Sequence, residues 1–484
     1  MRSKGNWMML LAACAVGLAG GTAARAAQET TVRAVVTQLK AVPVAGETEE
    51  VQLDPALPPT LLKLRTGSSV AVADWPVSPG VRQEVELTRV EVYAPGAKIV
   101  KVENGRTVEL PRSRHVFFQG RSVDDPETRL VVAVDPDTLT LEGTALTGQG
   151  PRELRPAKSG GYVVSTAEEL EKSMGQKPSW SCGQEQSAQA RELTDVFGPA
   201  PTKGNLTLGE AVTTLETATI AVDTDNELLS QKFSNSTTAA TNYIANLFAA
   251  MNVIYERDLQ VRLLQGLTIL RPSTTADPYA QGPGFGTCTA CANGNQLNEF
   301  SNYWSGGCGG ACTGAAANRA LAVMLSGKST SANLASGIAS VGTLCSTASG
   351  YSFNQVFKFA QDTVANDIMV VAHEIGHNFG SPHTHCYSPP IDTCYNGEAC
   401  YTGAQSCPAT QTINGVTNVT GTLMSYCHLS GLAGCGSSPV FHPRTVSLVA
   451  TNVTARVGVC FFPLGGTNSL FGDGFEAGTT VSWQ

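Results

Sequence analysis

One stretch narrows what this chain can be more than any other. It runs His373-Glu374-Ile375-Gly376-His377-Asn378-Phe379-Gly380-Ser381-Pro382-His383, an H-E-x-x-H-x-x-G-x-x-H pattern. Two histidines four apart on a helix share one face, so both reach one metal ion. Glu374 stands beside them, placed to act on water rather than on the metal. Gly380 suits the positive φ that ends a helix and turns the chain back, which lets His383 arrive as a third ligand. Three protein ligands and one open position make a catalytic zinc layout, whereas structural zinc sites are closed. The chain has only 7 His in 484 residues, and three of them fall in this pattern, which argues against coincidence.

The flanking residues carry the helix. Val364, Ile368, Val371 and Ile375 follow a helical apolar period, and His373 and His377 lie roughly opposite that stripe. The spacing predicts a helix whose stripe packs in a core while the histidines face a cleft. Asp362 is the expected N-cap.

The motif resembles that of the metzincin zinc peptidases, and His-Asn-Phe-Gly within it is similar to the adamalysin (reprolysin) family. Gly421-Thr422-Leu423-Met424-Ser425-Tyr426 resembles the methionine turn of metzincins, with Met424 supporting the site from below without binding metal. Two details stand apart. Thr384 follows the third histidine where adamalysins usually carry Asp, and Met424-Ser425-Tyr426 is also similar to the Met-x-Tyr of astacins and serralysins. The resemblance implies one Zn²⁺ held by His373, His377 and His383, with Glu374 as general base in peptide-bond hydrolysis. By the astacin likeness Tyr426 donates a hydrogen bond to the oxyanion. Packing beside the turn is the other reading of Tyr426, and both stay open at this stage.

Taken in order, residues 1–27 read as a secretion signal: Arg2 and Lys4, an apolar run from Met8 to Leu18, and an Ala24-Arg25-Ala26 cleavage site. The run is too short to span a membrane. Leu11-Ala12-Ala13-Cys14 offers a lipoprotein box, but the apolar run continues past Cys14, which favours an ordinary signal and a secreted, extracellular protein. A net charge of −8 without a basic patch leaves nucleic acid an unlikely partner. The expected partners are protein or peptide substrates and the chain's own propeptide, with the protein a monomer.

Cysteines divide the chain. Of 14 Cys, Cys14 leaves with the signal, Cys182 stands alone in the first half, and the remaining 12 lie between Cys288 and Cys460. An even number in an exported domain points to disulfides. Cys288-x-x-Cys291 with Cys308-x-x-x-Cys312 is compatible with a second, structural zinc site, which an oxidising compartment disfavours.

Residues 28–200 read as a β-rich propeptide domain. Val85–Val92 mostly alternates, Arg129–Val134 is a continuous apolar run, and Pro- and Gly-containing turns separate such segments. Phe117 to Arg129 weakly resembles the middle of adamalysin propeptides. Lys177-Pro178-Ser179-Trp180-Ser181-Cys182-Gly183 is similar to the cysteine switch of metzincin propeptides. A thiolate is a strong zinc ligand and can take the open position. The competing reading makes Cys182 a disulfide partner. Residues 184–210 are polar and Gly/Pro-containing, as a cleaved linker would be.

Residues 201–462 are expected to form the α/β (α+β) metzincin-type catalytic domain, with a mixed twisted sheet and a zinc helix. Strands are expected at Ala218–Asp223, Val261–Leu270 and Leu321–Leu325, with an edge strand at Gly337–Gly342 beside the cleft. Helices are expected at Thr237–Tyr255, Asn295–Trp304 and Arg444–Arg456. A free edge strand would let an extended peptide add as a strand. Asp223, Asp225 and Glu227 hint at Ca²⁺, but three acids after a strand are more often a solvated turn. His385 and His428 fit supporting or surface roles better than ligation. Residues 463–484 form a tail whose Phe471-Gly472-Asp473-Gly474-Phe475-Glu476 weakly resembles sorting tails of exported bacterial proteins. A catalytically silent, zinc-binding interaction module is the alternative function, and the intact Glu374 weighs against it.

Overall fold

The computed structural model describes residues 32–40, 48–103, 105–125, 127–147, 150–157, 160–166, 179–182, 212, 214–279, 296–310, 312, 318–329, 334–358 and 364–465. The expected signal, the linker, Cys288, Cys291 and residues 466–484 of the C-terminal tail lie outside these residues, while Pro463, placed in the tail by sequence, belongs to a strand Phe461–Pro463 paired with Glu216–Thr224.

The N-terminal half is β-rich, as its alternation implied. Ten strands form one sheet, ordered 32–33, 69–78, 81–90, 116–122, 129–134, 141–147, 150–156, 162–166, 48–53 and 35–40. Successive side chains of a strand point to opposite faces. Along Arg129–Val134, Leu130, Val132 and Val134 enter a core with Trp75, Leu87 and Phe118. Val131 and Ala133 enter a different core on the other face. That is why this run is apolar without alternation: both faces of the strand are covered.

What covers the second face is the long helix Thr237–Leu259. Ser236 caps it, its side chain accepting from the Ala239 amide, and Gln260 ends it in the left-handed region at φ +53°. The helix is apolar nearly all round because it lies between two sheets. The second sheet has parallel strands Glu216–Thr224, Val261–Leu270, Leu321–Ser326 and Tyr351–Gln355 at its centre. Every residue of Leu321–Ser326 and of Tyr351–Gln355 is buried, as expected of parallel strands covered on both faces. Leu334–Ala339 joins antiparallel to Tyr351–Gln355. The opposite flank holds a surprise: strands Ile99–Glu103 and Arg106–Leu110, from the N-terminal half, extend this same sheet beyond Val261–Leu270.

The predicted helices and strands of the catalytic half are all present, with shifted ends. The edge strand stops at Ala339 rather than Gly342. Beyond it, the Gly342 and Thr343 amides donate to the His377 and Asn378 carbonyls, 2.9 and 3.0 Å. These amides satisfy the open carbonyls at a helix C-terminus, so they are not available to a sheet. The histidine helix runs Asp367–Asn378 and does not begin at Asp362, which lies outside the described residues. Asp367 is its first residue and is held by the Phe357 amide, Tyr243 Oη and Lys232 Nζ. Ile368, Val371 and Ile375 pack into the shared core as their period predicted.

The remaining cysteines of the catalytic half are paired. Disulfides join Cys308–Cys312, Cys345–Cys460, Cys386–Cys400, Cys394–Cys427 and Cys407–Cys435. The Cys308–Cys312 bridge removes two of the four thiols that a second zinc site would need. Among the described residues, no helix is long and apolar enough to cross a membrane.

Candidate metal centre and active site

The three histidines converge. His377 Nε2 lies 3.1 Å from His373 Nε2 and 3.2 Å from His383 Nε2, and all three rings are fully buried. Helix geometry accounts for the first two, and Gly380 for the third: its φ is +107°, and a Cβ there would sit 2.1 Å from Asn452 Nδ2. Each ring is fixed from behind through Nδ1. His373 Nδ1 bonds the Leu423 carbonyl at 2.7 Å, and His377 Nδ1 bonds the Ser381 carbonyl at 2.7 Å. His383 Nδ1 lies 2.6 Å from Glu398 Oε1. A proton on Nδ1 leaves Nε2 as the lone-pair donor, which is the tautomer a metal needs. Burial, then the neighbouring imidazoles, holds His373 well below the usual histidine range. Burial, then His383, pushes His377 down to about 3. These rings are neutral at physiological pH.

The methionine turn lies directly beneath. Met424 Sδ faces Gly376, where a Cβ would be 2.6 Å away, so only glycine fits the helix to the turn. The turn also supplies two carbonyls: Leu423 to His373, and Met424 to the Thr384 amide at 3.1 Å.

Glu374 is fully buried, and burial raises its pKa well above the usual carboxylate range. Its Oε1 has no hydrogen-bond partner. Gly337 of the edge strand is packed against it: a Cβ there would lie 2.1 Å from Oε1.

Cys182 completes the cluster. It carries no disulfide and is buried, so the disulfide reading of this residue does not hold. Its Sγ lies 3.6 Å from Glu374 Oε2 and 3.7 Å from His377 Nε2. Together with the three histidines it forms a group whose ligand atoms all lie within 4.8 Å of one another. The strand Ser179–Cys182 brings it there, pairing parallel with Leu334–Ala339 so that Cys182 is opposite Gly337. The cleft edge that was expected to be free is therefore taken by the chain itself. Trp180 packs with Ala335, Phe357 and Val370, meets His373 edge-on at 5.0 Å and stacks on His428 at 4.1 Å. His428 Nε2 bonds the Trp180 carbonyl at 3.0 Å. Tyr426 Oη donates to the Cys182 carbonyl at 3.0 Å, so Tyr426 is more than packing.

Glu398 is the residue that sequence reasoning missed. Its two oxygens lie by His383 Nδ1 and, at 3.1 Å, by His385 Nε2. Burial alone would raise its pKa, but the bonds from His383 and His385 outweigh burial and hold it well below the usual range. The Cys386–Cys400 bridge closes the loop that carries it. No spacing rule links a Glu in a Cys-rich loop to the motif. His385 is accordingly a buried supporting group rather than a surface one.

Asp223, Asp225 and Glu227 are not a solvated turn. Asp223 is fully buried against Arg271, Tyr279 Oη and Trp304 Nε1, at 2.7 to 2.9 Å. Asp225 and Glu227 both bond Lys328 Nζ. Protein cations pair with these carboxylates: Arg271 with Asp223, and one Lys328 shared by Asp225 and Glu227.

The donors fit zinc: three imidazoles whose Nε2 atoms converge, with the Cys182 thiol beside them. Such a ligand set belongs to the class of zinc-dependent hydrolases. Comparison with known families narrows the class. Residues 214–433 match the family model Reprolysin_5, described as Metallo-peptidase family M12. The matched stretch is a little under half of the chain, and it supports a reprolysin-like zinc metallopeptidase there. No curated protein matches the chain.

Proposed function

We propose that this protein is a secreted zinc endopeptidase made as a zymogen, silenced by its own Cys182. The observation that carries the reading is the position of the Cys182 thiol, against His377 and Glu374 where a fourth ligand would stand. Residues 28–200 act as the propeptide, the cut falls within 184–210, and residues 201–462 hold the machinery. Bound zinc supplies Lewis acidity to the scissile carbonyl and lowers the pKa of water.

The chain's own groups do the rest. The edge strand Leu334–Ala339, vacated by Ser179–Cys182, binds an extended peptide by main-chain hydrogen bonds. Glu374 takes the proton of the attacking water and hands it to the leaving amine. Tyr426 Oη, released from the Cys182 carbonyl, donates to the oxygen on which charge develops. A silent binding module would not need a buried carboxyl whose Oε2 lies 3.6 Å from the Cys182 thiol.

The test is casein cleavage by purified protein and by Glu374→Ala, each with and without a zinc chelator, with N-terminal sequencing of the active species. The expected result is chelator-sensitive cleavage, a dead variant that keeps its zinc, and a new N-terminus beyond Cys182. Processed, zinc-loaded protein that cleaves no peptide library would overturn the reading in favour of a binding module.

A further inference from the structure

We infer that the N-terminal unit is a permanent half of the catalytic body, and that cutting the chain after Cys182 leaves it bound as a non-covalent subunit. The inhibitory strand alone then has to leave the cleft. This takes from the proposed function only the place of the cut.

Two features hold the halves together, and both lie away from the cleft. The first is backbone. Ile99, Val100 and Lys101 pair parallel with Thr268, Ile269 and Leu270. Upstream, the Gln265 amide donates to the Val92 carbonyl at 2.8 Å, the Ala94 amide to the Gln265 carbonyl at 2.9 Å, and the Thr268 amide to the Lys98 carbonyl at 2.8 Å. Departure of the N-terminal unit would turn Val261–Leu270 into a bare edge whose side chains are nearly all buried now. A buried polar backbone row of that kind is costly to leave unpaired.

The second feature is a single shared core. Val92, Ile99, Phe117, Val131, Ala133 and Leu146 of the N-terminal half belong to the same apolar cluster as the long helix, the central strands and Val371 and Ile375 of the histidine helix. Separation would expose both sides of it. An inhibitor that only visits a cleft needs neither device. Polar contacts continue the seam: Gln119 Nε2 donates to Glu256 Oε1 at 3.0 Å, and buried Glu153 accepts from the Ala365 backbone, just ahead of the histidine helix.

The test uses the full chain in a Glu374→Gln background, which removes self-digestion as a variable. Recognition sites for a sequence-specific protease are placed within 167–178 and within 184–210, so that cutting at both frees Ser179–Cys182 from either half. The inference expects the two large pieces to co-elute on a sizing column, including at about 1 M salt where exposed ion pairs are screened, and to part only in denaturant. It also expects the Gln265 and Thr268 amides to stay protected from hydrogen exchange after the double cut. Pieces that separate in native buffer, or amides that begin to exchange about 100-fold faster once cut, would overturn it. Cut pieces that co-elute while the same double cut in a chain with intact Glu374, loaded with zinc and freed of Ser179–Cys182, leaves it inert towards every peptide would instead sink the peptidase reading and leave this one standing.

Discussion

Replacing Gly337 by alanine tests whether the edge strand sets the position of the Glu374 carboxylate and, through it, the proposed general base. The added Cβ would stand 2.1 Å from Glu374 Oε1 and 2.3 Å from both Cδ and Cγ. Ordinary contact begins near 3.4 Å, so one side must give way by more than 1 Å. The strand is poorly placed to move, being paired with Tyr351–Gln355 and followed at once by the loop that closes the histidine helix. Gly337 is outside the left-handed region, so alanine adds bulk and no backbone strain. The carboxylate is therefore the part that shifts. A misplacement of about 1 Å costs on the order of 100-fold in rate, or about 2.7 kcal/mol of barrier. The histidines should be untouched, because Leu423, Ser381 and Glu398 anchor them from the far side. The assay is kcat and KM of matured protein on a fluorogenic peptide, with zinc content measured on the same samples. The expected outcome is a kcat lowered about 100-fold with one zinc per chain. A kcat within about threefold of wild type, or loss of zinc, would refute the reasoning.

Three further outcomes are expected. Full-length Cys182→Ser should cleave peptides without processing while full-length wild type is silent, and a thiol-binding mercurial should activate only the wild type; equal silence of both variants speaks against the switch. Glu398→Gln should weaken zinc binding about 10- to 100-fold in competition with a chromogenic chelator, because one amide cannot accept from both imidazoles; unchanged affinity would mean that His383 is oriented by other means. Glu153 is buried and its carboxyl is pushed up to about 8. Because the folded pKa lies above the unfolded one, stability is highest below about pH 4.5 with respect to this group and falls by about 1.4 kcal/mol per unit as pH rises towards 8. Glu153→Gln should therefore flatten that fall, with the variant most stabilised at pH 8 and least near 4.5 in denaturant melts; a pH-independent difference would show that Glu153 is not buried as a neutral acid.

Much of the site was legible because its information is local. His373, Glu374 and His377 share one helical turn, Gly380 needs no partner to define its turn, and Met424 lies in a short characteristic run. The Arg271 and Lys328 partners of Asp223, Asp225 and Glu227 were not legible, since they come from 48 and about 100 residues away. A row of acids reads as solvated until the cations that pair with it are seen.

The chain alone determined which residues can hold a metal, since ligand chemistry and helical spacing are properties of sequence. It also determined that Arg129–Val134 and Leu321–Ser326 are strands without a polar face. Only the tertiary structure decided what covers those faces. It decided that Ile99–Glu103 crosses the expected boundary to extend the catalytic sheet, that Glu398 stands behind His383, and that Cys182 arrives opposite Gly337. Each of these depends on which distant segments meet. Strand partners are chosen by register, buried area and paired charge across the fold, and no window of sequence contains both sides of such a choice.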